Sequence, residues 1–263
     1  MVGRREFICW LSTAVVSPED LVRGTTVAHV IFVAGQSNAV GWNETADTVP
    51  SSLLGRSGAR IWSGSAWEDL INGTNNGNLS SNGKKWGCEA EFARRWALES
   101  TQPLFIVKHA VGGTALADYW ARGAGTGYTA MTSHATAAKL ALTRMGNTVN
   151  CIGLLWMQGE SDTWSEARAN AYETNLTNFF AGVRSDWGSA NMPIVVGRIA
   201  NQDQSTNWAT VRAAQAKTVA GDAHAALIDT DDYENDGLHY TTNAIVRMGA
   251  EMYAAWKTLT CTT

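Results

Sequence analysis

The sequence predicts a three-layer α/β/α sandwich around a central, mainly five-stranded parallel sheet. Three observations carry that expectation. Five short apolar runs recur along the chain, at Val27–Gly35, Leu104–Val111, Val149–Met157, Ile194–Ile199 and Ala225–Ile228. Stretches with helical spacing lie between most of them, and strands that alternate with helices require crossover connections and a parallel sheet covered on both faces. Most of the runs pass directly into polar, glycine-containing sequence, which is where ligands bind in such sheets, beyond the carboxyl ends of the strands.

Val27–Gly35 is an almost continuous apolar run, as expected of a central strand buried on both faces, and it ends at Gly-Gln-Ser-Asn. From 49 to 87 the chain is rich in Gly, Ser and Asn, with one brief strand-like piece at Ala59–Trp62. This stretch reads as surface loop, and Trp62, Trp67 and Trp86 within it are placed to shape a substrate site. Glu89–Leu98 has helical spacing through Phe92, Ala93, Trp96 and Ala97, and Pro103 marks the restart before the second strand. That strand stops at Gly112-Gly113-Thr114. A helix near Met131–Met145 leads to the third strand, which runs straight into Gln158-Gly-Glu-Ser-Asp162. A long helix over Ser165–Trp187 follows, then the fourth strand behind Pro193, a helix over Trp208–Val219 and the fifth strand. Asp236-Gly-Leu-His239 precedes a last helix over Thr242–Leu259.

Composition narrows the function classes. The 263 residues suffice for one substantial core, so residues 27–263 read as a single domain behind an N-terminal extension, 1–26. Only 17% of residues are charged and the net charge is -4, with no basic cluster able to neutralise a phosphate backbone. Nucleic acid is therefore not an expected partner, and a small enzyme with a neutral or weakly acidic substrate fits better. The 12 Trp can stack on sugar rings or fill the core. The 4 Cys, Cys9, Cys88, Cys151 and Cys261, form no C-x-x-C pair, so no structural zinc is expected; Cys9 and Cys261 can pair only if the termini meet. Arg4 and Arg5 ahead of the apolar run Phe7–Val16 resemble a twin-arginine export start, against the alternative of a segment packed on the domain. Location stays open between the cytoplasm and, slightly favoured, the outside of the cell. No later run reaches the length of a membrane span. Nothing in the sequence speaks to oligomeric state.

Gly35-Gln-Ser-Asn-Ala-Val-Gly41, Gly112-Gly-Thr114, Trp156-Met-Gln-Gly-Glu-Ser-Asp162 and Asp236-Gly-Leu-His239 stand in this order along the chain. Together they resemble the blocks of the SGNH hydrolase superfamily, which is flavodoxin-like in layer pattern. More narrowly, they are similar to the sialate O-acetylesterase-like domain shared with carbohydrate esterase family 6, the acetyl xylan esterases. Two positions depart from the wider superfamily: Gln36 replaces the Asp of Gly-Asp-Ser, and Gln158-Gly-Glu160 replaces Gly-x-Asn. The resemblance implies a Ser-His-acid mechanism with no cofactor, acting on acetylated oligo- or polysaccharide.

Each block carries residue types that this chemistry needs. Ser37 is the expected nucleophile, and a hydroxyl needs a base within hydrogen-bond reach to react at neutral pH. His239 is the base offered. Asp236, three residues before it across a glycine-containing turn, can approach one imidazole nitrogen while the other faces Ser37. Glu160 is a competing or auxiliary acid, with Asp236 preferred. The expected oxyanion donors are the backbone N–H groups of Ser37 and Gly113, with the Gln158 side-chain amide as a third; Gly112 is equally available as a donor, its plain role being turn geometry. Asn38 reads as a brace for its loop in preference to an oxyanion donor, and Asp162 as an acceptor for backbone N–H groups. His29, His109, His134 and His224 have no motif around them and read as structural. The readings that compete are an esterase or lipase for another small acyl group and a carbohydrate-binding domain without catalysis. A nucleotide-binding fold of the same layers is disfavoured because no phosphate loop follows the first strand.

Overall fold

The computed structural model describes residues 26–261 apart from 56, 78, 82–83 and 201–204. The expectations for the N-terminal extension, Cys9 included, lie outside the described residues. The strands are β1 (Val27–Gly35), β2 (Arg60–Trp62), β3 (Trp67–Asp69), β4 (Leu104–Ala110), β5 (Thr148–Met157), β6 (Ile194–Gly197) and β7 (Ala225–Ile228). They form one sheet in the order β3-β2-β4-β1-β5-β6-β7. The five expected strands occupy its contiguous parallel centre and one flank, with β1 between β4 and β5. Two further strands extend the other flank. β2 pairs parallel with β4, and β3 folds back antiparallel on β2 through a turn in which Ser63 N–H donates to the Ala66 carbonyl at 2.9 Å. The stretch read as loop thus holds the edge of the sheet; strands of three residues are too short to show a period of two.

The helices are α1 (Ser37–Val40), α2 (Glu89–Glu99), α3 (Thr126–Arg144), α4 (Glu166–Asp186), α5 (Trp208–Ala220) and α6 (Thr242–Cys261). They cover both faces and complete the sandwich. On one face α2 and α6 pack together through Phe92, Trp96, Tyr253 and Trp256. Gly153 of β5 lets them close on the sheet, because a Cβ there would meet the Pro193 carbonyl at 3.0 Å and the Trp256 ring at 3.2 Å. On the other face Phe179 of α4 packs on Trp156 with ring centroids 4.2 Å apart, and Trp187 packs against Phe32 at 5.9 Å. Tryptophan is thus largely core material here: Trp86, Trp120, Trp156 and Trp187 are fully buried.

This packing also corrects the expectation for the loop tryptophans. Trp86 and Trp62 are buried, and the half-buried Trp67 donates its indole N–H to the Ala138 carbonyl while packing on Phe105. Trp62 and Trp67 hold the sheet edge, and Trp86 donates its indole N–H to the Thr45 carbonyl at 3.0 Å; none of the three lines the cleft that Ser37 and His239 share. Among the described residues no helix is long and apolar enough to cross a membrane.

Candidate active site

The four sequence blocks meet at the carboxyl ends of β1, β4 and β5 and in the segment between β7 and α6. β1 ends at Gly35, whose φ is +141°, and a Cβ there would lie 2.0 Å from the Met157 carbonyl oxygen. Only glycine lets the chain turn this close to β5. α1 then begins at Ser37. The N–H groups of a first helical turn have no acceptor within the helix, which leaves that of Ser37 available.

Ser37 and His239 line one cleft of about 350 Å³. Gly112 and Gly113 form part of its wall, and Gln36, Glu160, Ser161 and Leu238 complete the inner surface. Trp42 and Trp164 stand at the cleft with 44% and 58% of their surface exposed. Gly113 has φ +72° with open space where a Cβ would project, whereas the Gly112 N–H is directed to the Ser81 hydroxyl at 3.3 Å. The two glycines are therefore not equivalent, and Gly113 presents the freer N–H.

His239 sits in a turn built by Asp236. One oxygen of the Asp236 carboxylate accepts the backbone N–H groups of Leu238 and His239 at 3.0 and 2.8 Å. The other accepts Asn43 Nδ2 at 3.1 Å and lies 3.8 Å from His239 Nδ1. That last separation is within ion-pair reach but longer than a hydrogen bond. The backbone N–H of His239, with help from Asn43, holds the Asp236 carboxyl below its usual pKa, so it is charged. Burial holds the His239 imidazole below its ordinary value, and the Asp236 charge opposes that shift. The face of the ring is covered by Trp42, stacked at 5.8 Å between centroids and 25° between planes.

Behind the cleft runs a buried polar network. Gln36 Oε1 accepts the N–H groups of Gly159 and Ser161 and the amide of Gln158. Gln158 Nε2 also donates to the Thr114 carbonyl at 3.0 Å and to Asp162 at 2.7 Å, and its Oε1 accepts Tyr172 Oη. The expectation that Gln158 supplies a third oxyanion donor is corrected: both amide hydrogens are committed to acceptors, and the residue lies outside the cleft lining. Asp162 accepts the backbone N–H groups of Leu116 and Ala117, tying the strand-β5 loop to the Gly-Gly-Thr loop. Asn38 donates to Glu160 Oε1 at 2.6 Å and to the Leu238 carbonyl at 3.1 Å. Glu160 is buried to within 1% and its carboxyl is pushed up to about 7 by that burial. It is joined to Asn38 rather than to the imidazole.

The other histidines lie elsewhere. His29 packs on Trp96 at the opposite end of the sheet, and His109 clusters with Tyr119, Trp120 and His134. Among the described residues no group of three His, Cys, Asp or Glu is placed to hold a metal ion, and Cys88 and Cys151 are free thiols. Trp42, Asn43 and Trp164 escaped the sequence reading, as did the bracing role of Gln36. Their one available signal was adjacency in the chain to the Ser37 and Glu160 blocks.

Residues 27–258 match the model of a family described as carbohydrate esterase, sialic acid-specific acetylesterase. Among solved structures, a protein of Arabidopsis thaliana aligns with a TM-score of 0.71 at 22% identity, over 87% of this chain and 97% of that one. A carbohydrate acetylesterase from Xanthomonas citri aligns with a TM-score of 0.63 at 18% identity, over 86% of this chain and 55% of that one. NanS aligns with a TM-score of 0.66 at 14% identity, over 88% and 97%. At these identities the likeness is one of fold. Among curated proteins none matches the sequence significantly. The family match spans nearly the whole described chain, so the protein belongs to the sialic acid-specific acetylesterase family of carbohydrate esterases, with an SGNH-hydrolase-like α/β/α fold.

Proposed function

We propose that the protein is a serine esterase that releases acetate from O-acetylated carbohydrate through an acetyl-enzyme intermediate. The observation that carries this reading is the sharing of one cleft by Ser37 and His239, with the charged Asp236 3.8 Å from the imidazole Nδ1. Ser37 Oγ attacks the acetyl carbonyl while His239 Nε2 takes its proton. The carbonyl electrons move onto oxygen, and the N–H groups of Ser37 and Gly113 stabilise the resulting charge. Collapse of the tetrahedral intermediate breaks the bond to the sugar oxygen, which leaves as an alcohol with the proton from His239. Water, activated by the same imidazole, then attacks the acetyl-Ser37 ester and frees acetate. Asp236 supports the imidazolium that forms in each half-reaction.

Carbohydrate as the alcohol component draws support from the family and from the two exposed tryptophans, since indole faces stack on sugar rings. Acetate release from a panel of acetylated polysaccharides tests the proposal. Ser37→Ala is expected to fold normally and to lose at least about 10³-fold in turnover. Unchanged turnover in that variant would remove Ser37 from the mechanism. Faster hydrolysis of octanoyl than acetyl esters would favour a lipase instead.

A further inference from the structure

Four residues of the segment that follows Ser37 join it to the segment that carries His239. Asn38 bonds the backbone at Leu238 and Tyr240, Trp42 stacks on His239, Asn43 bonds Asp236, and Glu44 accepts the Thr242 hydroxyl at 2.9 Å. The Asn38 rung differs from the others because it grips the main chain on both sides of His239. Its Nδ2 donates to the Leu238 carbonyl, and its Oδ1 accepts the Tyr240 N–H at 3.1 Å. The remaining Nδ2 hydrogen goes to Glu160 Oε1 at 2.6 Å. Rotating the amide by half a turn would set its oxygen against two acceptors and its NH2 against a donor, so one orientation satisfies all three partners.

We propose that Asn38 is a positioning residue that sets His239 in register with Ser37, and that Glu160 acts through Asn38 as the buried anchor of its amide. Because Asn38 follows Ser37 directly within α1, the clamp carries the nucleophile's own position to the base. The need for it is plain in the geometry. At 3.8 Å from Nδ1, Asp236 supplies charge to the imidazole without a bond that would fix it. Glu160 fits an anchoring role: one oxygen holds Asn38, the other has no hydrogen-bond partner among the described residues, and none of its bonds goes to His239.

This inference rests on the esterase reading for its consequence in catalysis, but its core can be read without turnover. Asn38→Ala and Asn38→Asp both remove the donors to Leu238 and Glu160, and the Asp variant keeps an acceptor for the Tyr240 N–H. In either, kcat toward a small acetyl ester is expected to fall about 10²-fold, the cost of a misplaced catalytic group, with KM changed less than about twofold. Glu160→Ala should lose part of the same activity, and Glu160→Gln, which keeps an acceptor oxygen for Asn38, should restore most of that loss. In parallel, histidine-labelled NMR follows the His239 ring signals and their titration, expected to shift and broaden in the Asn38 variants. If those signals match the wild type, or if kcat survives in both Asn38 variants, the clamp is wrong. Glu160→Gln as damaged as Glu160→Ala would instead give the carboxylate charge a direct role and overturn the anchor. Should the wild type hydrolyse no acetyl ester, the esterase reading falls, and the NMR comparison still decides whether Asn38 positions His239.

Discussion

His239 can accept the Ser37 proton only while neutral. Burial lowers its pKa from the ordinary 6.5, and the nearby Asp236 charge offsets only part of that. The base should therefore stay unprotonated to lower pH than an exposed imidazole would. In a profile of kcat/KM against pH, the acid limb is expected to turn below pH 6.5. Asp236→Asn removes the opposing charge and should move that limb further to acid, together with a fall in rate. A limb at or above 6.5 would contradict the burial seen at His239. Gln158 teaches the converse lesson, since an amide of the right type in the right block has no hydrogen to spare once Thr114 and Asp162 are paired with it.

α1 has four residues, far too few to hold a helical conformation without help. Its help comes from β4 and α2. Lys108 Nζ donates to the carbonyl of Val40, the last residue of α1, at 3.2 Å, and to Glu89 Oε1 at 2.8 Å, with both side chains wholly buried. Asn76 and the Gly87 N–H bond the same carboxylate oxygen. A buried pair of this kind contributes little net stability against an apolar replacement, but loss of one partner strands a charge. Lys108→Met is thus expected to destabilise the protein by about 3–5 kcal/mol, measured by urea unfolding. The double variant Lys108→Met, Glu89→Leu should recover a substantial part of that loss. If the single variants add without coupling, the pair does not act as a unit.

Histidines that burial keeps neutral make one contribution to the chain's response to acid. His29, His109, His134 and His239 all have lowered pKa values, each with burial as the leading cause. For His109, 7% exposed, the value is brought down to about 4. Between the unfolded value of 6.5 and the folded value of about 4, the unfolded chain binds the proton and the native one does not, so stability falls as pH falls through that window. Glu160 works in the opposite sense: its carboxyl stays protonated in the fold up to about 7 but ionises near 4.5 when unfolded, so its contribution is greatest at low pH and is lost as pH rises toward 7. Urea midpoints taken from pH 7 down to pH 4 are expected to fall for the wild type. His109→Gln should flatten the decline, by up to about 3 kcal/mol. An equal slope in the variant would show that His109 is not kept neutral by the fold.

The sheet's parallel centre could be read from the order of residues alone, because a strand buried on both faces must be a continuous apolar run, as Val27–Gly35 and Leu104–Ala110 nearly are. The chemical blocks were legible for a related reason: each stands where a strand ends or a helix begins, and glycines such as Gly35 mark turns that no other residue can make. What could not be read there depends on contacts between residues far apart in the chain. The Trp67–Asp69 edge strand exists through pairing with β2 and through Trp67 packing on Phe105, with no periodicity of its own. Lys108, a charge inside an apolar strand, makes sense only when Glu89 and Val40 are folded onto it. Asn38 and Glu160, 122 positions apart, and Asn38 and Tyr240, 202 apart, meet because β1 lies beside β5 and α6 returns to the same rim. Hydrogen bonds of such separation leave no local pattern, so the sequence names the groups and the packing of the strands assigns their partners.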